Sequence, residues 1–458
     1  MANASESIPR DALRANLNQL DALLCDVGPS EDRRALARKR ASMQSQLNAI
    51  VYPVLTLPPE VVSEIFLHCL CDPRARPNVA EAPLLLCNVC SQWRTIAILT
   101  PGLWSRLELT FKFSLFGTCF IDLLALWFSR TGSHPLSLSI FYDEYTATNR
   151  REGIIQLVKV LMRHDHQWED VELKLPDVSE FHQFRGKFPG LKRLAVAPHS
   201  AKPLTPAVTA FTRAPQLTNA QLSAGCTLKP IVLPWTQLSV LKCESLHVPD
   251  CLSLLRETTQ ITELTVYFKP AHRLIPLSPP LLLPTLRFLH LLREECHMDL
   301  LQHLTLPALE TLSISFTNPD IPRFLAFLSR SDCPLQRIIF DAWPFEQREL
   351  VKCLVALPSL RELKLWRPQY FTDSFLCQLA DPAALLPNLQ TLELDHVYPI
   401  QFTMPALVGM LAVRWSAPVR LETFRTVLHK ASTVIDPESV FRMQALVALG
   451  MKLHIEYH

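Results

Sequence analysis

Four cysteines, Cys69, Cys71, Cys87 and Cys90, stand as C-x-C followed by C-x-x-C, a set of thiolates that could hold a tetrahedral zinc ion. Structural zinc pairs place their cysteines on knuckle turns. Here Cys87 and Cys90 fall inside the apolar helical run L-L-L-C-N-V-C-S-Q-W-R-T-I-A, so no metal is expected. His164 and His166 flank Asp165 in a pattern that could shuttle protons, but polar residues ahead of a strand read as a solvated turn. A catalytic thiol has no better support. The 13 cysteines and 15 histidines make chance pairings plentiful, and no local sequence suggests an activated thiolate. The 10 glycines supply no G-x-G-x-x-G, G-K-[ST] or G-x-S-x-G, and H-E-x-x-H is also absent. The chain is therefore read as a non-enzyme without a cofactor, one that works by binding.

The elements that would present a binding surface must come from 458 residues, of which 48% are hydrophobic and 19% charged. That is ample for a core, yet long for one core unless the fold grows by repetition. Lys and Arg total 45 against 43 Asp and Glu, a net charge of +2 that implies no grip on nucleic acid. Met1 to Arg10 lacks the apolar core of a secretory signal, and the cysteines show no disulfide framework. Cytoplasm or nucleus is the expected location. The most membrane-like stretch, Phe113 to Phe128, is interrupted by Asp122 and is short for a span, so it is expected to be a buried or half-buried helix.

Leu13, Leu17, Leu20 and Leu24 form one helical stripe, Gly28-Pro29 breaks it, and Ser30 can cap a second helix carrying Leu36, Met43, Leu47 and Ile50. Residues 1–51 are thus expected to be a helical hairpin. From Tyr52 the texture changes to V-L-T-L-P-P-E-V-V-S-E-I-F-L-H-C-L. Val61, Ile65, Phe66 and Cys69 share a helix face behind a double proline that suits a first turn. A second helix is expected over Ala82 to Leu99, ended by Thr100-Pro101-Gly102.

The remainder repeats the unit L-x-x-L-x-L. It stands at Leu191-Leu194-Val196, Leu238-Leu241-Cys243, Ile261-Leu264-Val266, Leu286-Leu289-Leu291 and Leu309-Leu312-Ile314. It continues at Leu335-Ile338-Phe340, Leu360-Leu363-Leu365 and Leu389-Leu392-Leu394, with weaker copies at Trp168-Val171-Leu173 and Leu217-Ala220-Leu222. First positions step by about 21 to 29 residues. The alternation buries every second side chain of a short strand, and Ile321 to Ser331, Arg348 to Ala356 and Asp373 to Leu379 have helical spacing between strands. Such units bury their apolar faces only by stacking, which predicts a curved parallel-stranded solenoid. Val419 to His458 is less regular, but K-L-H-I-E-Y at 452–457 alternates like a last strand.

Residues 57 to 107 resemble an F-box, and the phrase from Tyr52 to Glu60 behind a helical hairpin is similar to a group of fungal F-box proteins with degenerate C-terminal leucine-rich repeats. Leu57-Pro58-x-Glu60 and Ile65-Phe66 correspond to the module's first helix, and Leu84, Val89-Cys90, Trp93-Arg94 and Leu103-Trp104 to its later apolar positions. The insertion from Cys71 to Glu81 departs from the pattern by lengthening the connection between helices. The resemblance implies an α/β chain with a helical hairpin (1–51), a helical F-box (52–110) and a curved leucine-rich-repeat solenoid with a parallel sheet (111–458). It further implies a substrate-recognition adaptor of a Skp-cullin-F-box ubiquitin ligase. Leu57, Pro58, Glu60, Ile65, Leu84, Val89, Cys90 and Trp93 would meet a Skp-type adaptor and, through it, a cullin-RING ligase. A leucine-rich scaffold unconnected to ubiquitin transfer is the other reading, and it gives no reason for Leu-Pro-Pro-Glu ahead of two amphipathic helices.

In L-x-x-L-x-L the residues beside the buried pair face the concave, solvent side. For the last clear repeats these are Arg337 and Asp341, then Glu362, Lys364 and Trp366, then Thr391, Glu393 and Asp395, a mixed-charge surface expected to bind the target protein.

Overall fold

The computed structural model describes residues 10–26, 31–48, 56–70, 74–111, 118–142, 150–198, 207–223, 231–268, 279–292, 297–315, 320–341, 347–367, 371–397, 401–428 and 436–457. The chain divides into two units, Met1–Leu103 and Trp104–His458.

The first unit is helical. α1 (Arg10–Asp26) and α2 (Glu31–Asn48) lie side by side, because the four-three spacing of Leu13, Leu17 and Leu20 puts all three on the buried stripe. Arg40 Nε donates to Asp21 Oδ1 at 2.5 Å across the pair. Gly28, Pro29, Ser30 and Ile50 lie outside the described residues.

Three short helices follow: α3 (Pro59–His68), α4 (Leu84–Val89) and α5 (Ser91–Ile98). Pro58 sits at the N-cap of α3, its carbonyl accepting the amides of Val61 and Val62. Pro59 occupies the first turn, where its missing N–H costs nothing. Val62, Phe66, Leu86, Ile96, Ala97 and Leu103 are buried, and Phe66 meets Trp93 edge-on with centroids 5.0 Å apart. The single helix expected over Ala82 to Leu99 is two helices. Cys90 breaks it with an extended backbone (φ −157°, ψ 170°), and its sulfur accepts the Trp93 amide at 3.4 Å as the N-cap of α5.

The second unit is an α/β stack. Its long sheet contains β1 (Arg106–Phe111), β2 (Leu136–Tyr142), β3 (Trp168–Lys174), β4 (Arg193–Val196), β5 (Asn219–Leu222), β6 (Val240–Leu246) and β7 (Glu263–Phe268). After the two-residue β8 (Leu281–Leu282) come β9 (Phe288–Leu292), the equally short β10 (Leu304–Thr305), β11 (Thr311–Ser315), β12 (Arg337–Asp341) and β13 (Glu362–Trp366). β14 (Thr391–Val397), β15 (Thr423–Leu428) and β16 (Lys452–Tyr457) complete it. Fourteen strands run parallel in sequence order, and β8 and β10 form a separate parallel pair. Between them lie α6 (Thr118–Ser129), α7 (Arg150–Met162), α8 (Val248–Glu257), α9 (His297–Leu301) and α10 (Ile321–Ser331). α11 (Gln347–Val355), α12 (Asp373–Ala380), α13 (Met404–Ser416) and α14 (Pro437–Ala448) continue the alternation. This is a solenoid-like arrangement in which each strand of the long sheet bonds to the preceding and following strands of that sheet.

The repeat explains the register. Leu194, Ala220, Leu241, Leu264, Leu289, Leu312, Ile338, Leu363 and Leu392 form one continuous row across the strands, and each is fully buried. In four units a polar residue just before the repeat's first Leu ties the unit to the one before it. Gln237 Nε2 donates to the Ala214 and Leu217 carbonyls, Thr285 Oγ1 to Ile261, Ser359 Oγ to Leu335 and Asn388 Nδ2 to Pro358, at 2.7–2.9 Å. These bonds satisfy turn carbonyls that lie outside the sheet's own ladder.

Three strands of the long sheet fall outside the repeats read from sequence. β1 and β2 extend the sheet ahead of β3, and the domain boundary read at residue 110 falls inside β1. β15 lies in the less regular C-terminal stretch, where Leu421 and Phe424 are buried but Thr426 takes the third core position, its hydroxyl buried without a partner. α6 buries Leu124, Trp127 and Phe128 and exposes Asp122 and Leu126, while residues 113–117 of the apolar stretch lie outside the described residues. Among the described residues no helix is long and apolar enough to cross a membrane.

Candidate interaction surfaces

In the first unit the i, i+4 periodicity of α3 sorts its apolar side chains into two faces. Val62 and Phe66 point into the core. Val61 and Ile65 point out, 45% and 43% exposed, and Leu85 and Val89 are exposed on α4 at 45% and 54%. Of the other residues read as adaptor contacts, Pro58 and Glu60 are exposed and Leu57 and Leu84 half-buried. Cys90 is the helix cap, and Trp93 packs mainly inward on Phe66 with its indole nitrogen buried and unpartnered. Leu103 is buried at the end of the first unit, whereas Trp104 belongs to the second, where it stacks edge-on against Trp127 at 4.9 Å and lies under the Arg130 guanidinium. Of the four cysteines in the C-x-C and C-x-x-C pattern, Cys87 is buried, Cys69 is exposed, Cys90 is engaged as a cap and Cys71 lies outside the described residues.

In the second unit, the sheet face opposite the buried rows is open. Its C-terminal part carries the expected charges, already paired across strands. Arg337 Nε meets Glu362 Oε2 at 2.5 Å, Lys364 Nζ lies 2.8 Å from Glu393 and 3.0 Å from Asp395, and Arg425 lies 3.4 Å from Glu456. Burial works to lower the Lys364 pKa, but bonds to Glu393 and Asp395 outweigh it and hold the ammonium above its ordinary value. Trp366 is half-buried, stacked on His396 with centroids 5.4 Å apart and planes 11° apart. Asp395 departs from the expectation of exposure: at 6% it is buried beneath Lys364, because the strand carries it under the neighbouring ammonium. Thr391 is half-buried, and the side chain of Asp341 lies outside the described residues.

The middle of the open face was not anticipated. Val240, Tyr267, Phe288, Leu292 and Ile339 are all half-exposed there, a band of apolar groups interspersed with Lys242, Glu263 and His290; toward the N-terminus Arg193 pairs with Asp170 at 2.8 Å. The signal was available, since F-L-H-L-L puts Phe288 and Leu292 at outward positions of a repeat. Aromatic and aliphatic groups held half-exposed on a rigid sheet suit a protein partner's apolar anchors.

His290 sits in this band. Burial holds its imidazole below the ordinary value, with Glu263 pulling upward and Arg337 adding to the depression. The unfolded chain therefore takes up its proton first as pH falls. His290 supports the fold fully above the unfolded value of 6.5, and that support is lost as pH drops through the lower folded value. His290→Gln is expected to flatten the decline of the urea unfolding midpoint between about pH 7 and pH 5. His164, also held low chiefly by burial, retains part of the slope. An unchanged slope in the variant would contradict this assignment.

Cys251 and Cys353 serve as core side chains, and Cys333 is half-buried. Burial pushes Cys251 and Cys353 up to about 12 and Cys333 to about 11, so all three stay protonated and weakly nucleophilic near neutral pH. No protein-family model matches the chain, and a search of curated proteins finds no significant match.

Proposed function

We propose that the chain is a substrate-recognition adaptor of a Skp-cullin-F-box type ubiquitin ligase, its helical segment an F-box and its stacked units degenerate leucine-rich repeats. The observation that carries this reading is the outward set of Val61, Ile65, Leu85 and Val89, exposed on short helices whose inward residues already form a core. Apolar side chains left outside a complete core are what a docking face requires. The protein needs no acid, base or nucleophile of its own under this reading, because holding a target near activated ubiquitin raises its local concentration. The target binds the open sheet face, with the apolar band of β6–β12 as anchor and the paired charges around Lys364 setting orientation.

Calorimetric titration of the full chain with the Skp-type adaptor tests the reading. One adaptor is expected to bind per chain, and Leu57→Ala with Pro58→Ala is expected to abolish binding without changing the unfolding of the stacked units. Absence of binding by the unaltered chain would favour a repeat scaffold unconnected to ubiquitin; undiminished binding by the double variant would remove those two residues from the interface.

A further inference from the structure

We propose that a cavity built from the chain segments entering β3, β4 and β5 is a binding site for a small polyanion of the phosphate class. The cavity has a volume of about 950 Å³, and Arg185, Lys187, Arg213, His166 and His182 line it with Asp165 as the single carboxylate. In a chain of nearly balanced charge this is a strong local excess of cations. Among the described residues no carboxylate pairs with Arg185, Lys187 or Arg213, whereas Arg193, Arg337, Lys364 and Arg425 on the open face each meet at least one. Asp165 is itself engaged, one oxygen accepting the Lys187 amide at 3.3 Å and the other lying 3.9 Å from His166 Nδ1. His182 Nε2 is buried with no hydrogen-bond partner, a group that a ligand oxygen or a bridging water would satisfy.

The frame of the site is rigid. Phe184 lines the cavity and belongs to an aromatic cluster in which Trp168 lies 5.0 Å from Phe188, Phe188 5.3 Å from Phe211 and Phe184 6.0 Å from Phe211. Those rings come from the same three segments that carry the cations, so core packing fixes the backbone from which the exposed Arg185, Lys187 and Arg213 project. Gly186 lets the loop close on Asp165: a Cβ there would lie 2.6 Å from its Oδ2. An apolar floor also strengthens the field above it, since charges beside low-dielectric material are less screened. Two guanidinium groups favour phosphoryl oxygens, which they can bind in pairs. The volume exceeds what one phosphate fills and lies within the size of small-molecule sites, which points to a compact molecule bearing several phosphoryl groups. This site is independent of the adaptor reading and lies on strand-entry segments rather than on the open sheet face.

The test is calorimetric titration of the full chain with tripolyphosphate, with sulfate and a phosphoserine peptide as further arms. Tripolyphosphate is expected to bind more tightly than sulfate and to weaken as salt rises. Arg185→Ala with Arg213→Ala should weaken it by about a hundredfold, roughly tenfold for each charged partner removed. Arg256→Ala, an exposed arginine outside the cavity, should leave binding unchanged. Should the double variant melt early, Lys187→Gln gives the same reading from a single exposed side chain, with an expected loss of about tenfold. Binding that is equal in the cavity variants, or equally lost in Arg256→Ala, overturns the proposal. Binding of the phosphopeptide with none of tripolyphosphate also overturns it, in favour of a modified protein partner.

Discussion

Arg414→Met is expected to cost about 3–5 kcal/mol, from the combined price of leaving several buried acceptors unpaired. Arg414 lies in the last turn of α13 and is fully buried. Its Nε donates to the Leu379 carbonyl at 2.5 Å, Nη1 to Leu386 at 2.8 Å and Nη2 to Leu385. Leu379 belongs to α12, and Leu386 holds a left-handed backbone at φ 50°, so one guanidinium ties a helix to the turn that leads toward β14. Burial lowers its pKa to about 10, with Asp381 acting the other way, and at neutral pH the group remains charged. Methionine fills much of the space but offers no donor, and Arg414→Lys cannot reach three carbonyls with the geometry of a planar fork. Hydrogen exchange is the informative measurement. Amides of β13–β15 are expected to lose protection while those of β3–β7 keep theirs, because stacked units share stability only with neighbours. A variant within about 0.5 kcal/mol of the unaltered chain would show that the three carbonyls find other partners.

The second large effect separates outward from inward residues of the short helices. Ile65→Asp with Val89→Asp is expected to abolish binding to the Skp-type adaptor at a stability cost of only about 1–2 kcal/mol, since both side chains are about half exposed and the remaining cost is the poorer helix propensity of aspartate. Phe66→Ala is expected to do the reverse at first hand, removing a fully buried ring and the edge contact to Trp93 at a cost of about 3–5 kcal/mol. Adaptor titration and urea unfolding of both variants give a crossed pattern if α3 has one docking face and one core face. A loss of stability in the Asp pair as large as that of Phe66→Ala, or retained adaptor binding, would contradict the proposed division.

The parts of the fold legible in the sequence are those where burial acts through regular spacing. The row from Leu194 to Leu392 was visible because each strand repeats the same two aliphatic positions, and α10 was visible because Ile321, Phe324, Phe327 and Leu328 share a face. β2 was missed because Pro135 stands where the repeat has its first apolar residue, and β15 because Thr426 replaces an aliphatic one. The break at Cys90 had no proline or glycine to mark it. On the surfaces, residue types were legible but partnerships were not. Lys364 and Glu393 are 29 residues apart and meet only once the strand register is known. The cation cavity likewise draws on three separate segments, none of which is unusual alone.

Sequence order and strand order coincide throughout the long sheet, and this bears on how the molecule is made. Each new pairing closes a loop of only about one repeat, on the order of 25 residues, so the entropy of closure stays small at every step. A chain emerging from the ribosome can dock each strand on the one before it without waiting for distant sequence. Growth of the sheet by neighbour addition covers each new edge with the next strand as soon as it emerges, which limits the time in which a nascent strand can pair with another chain.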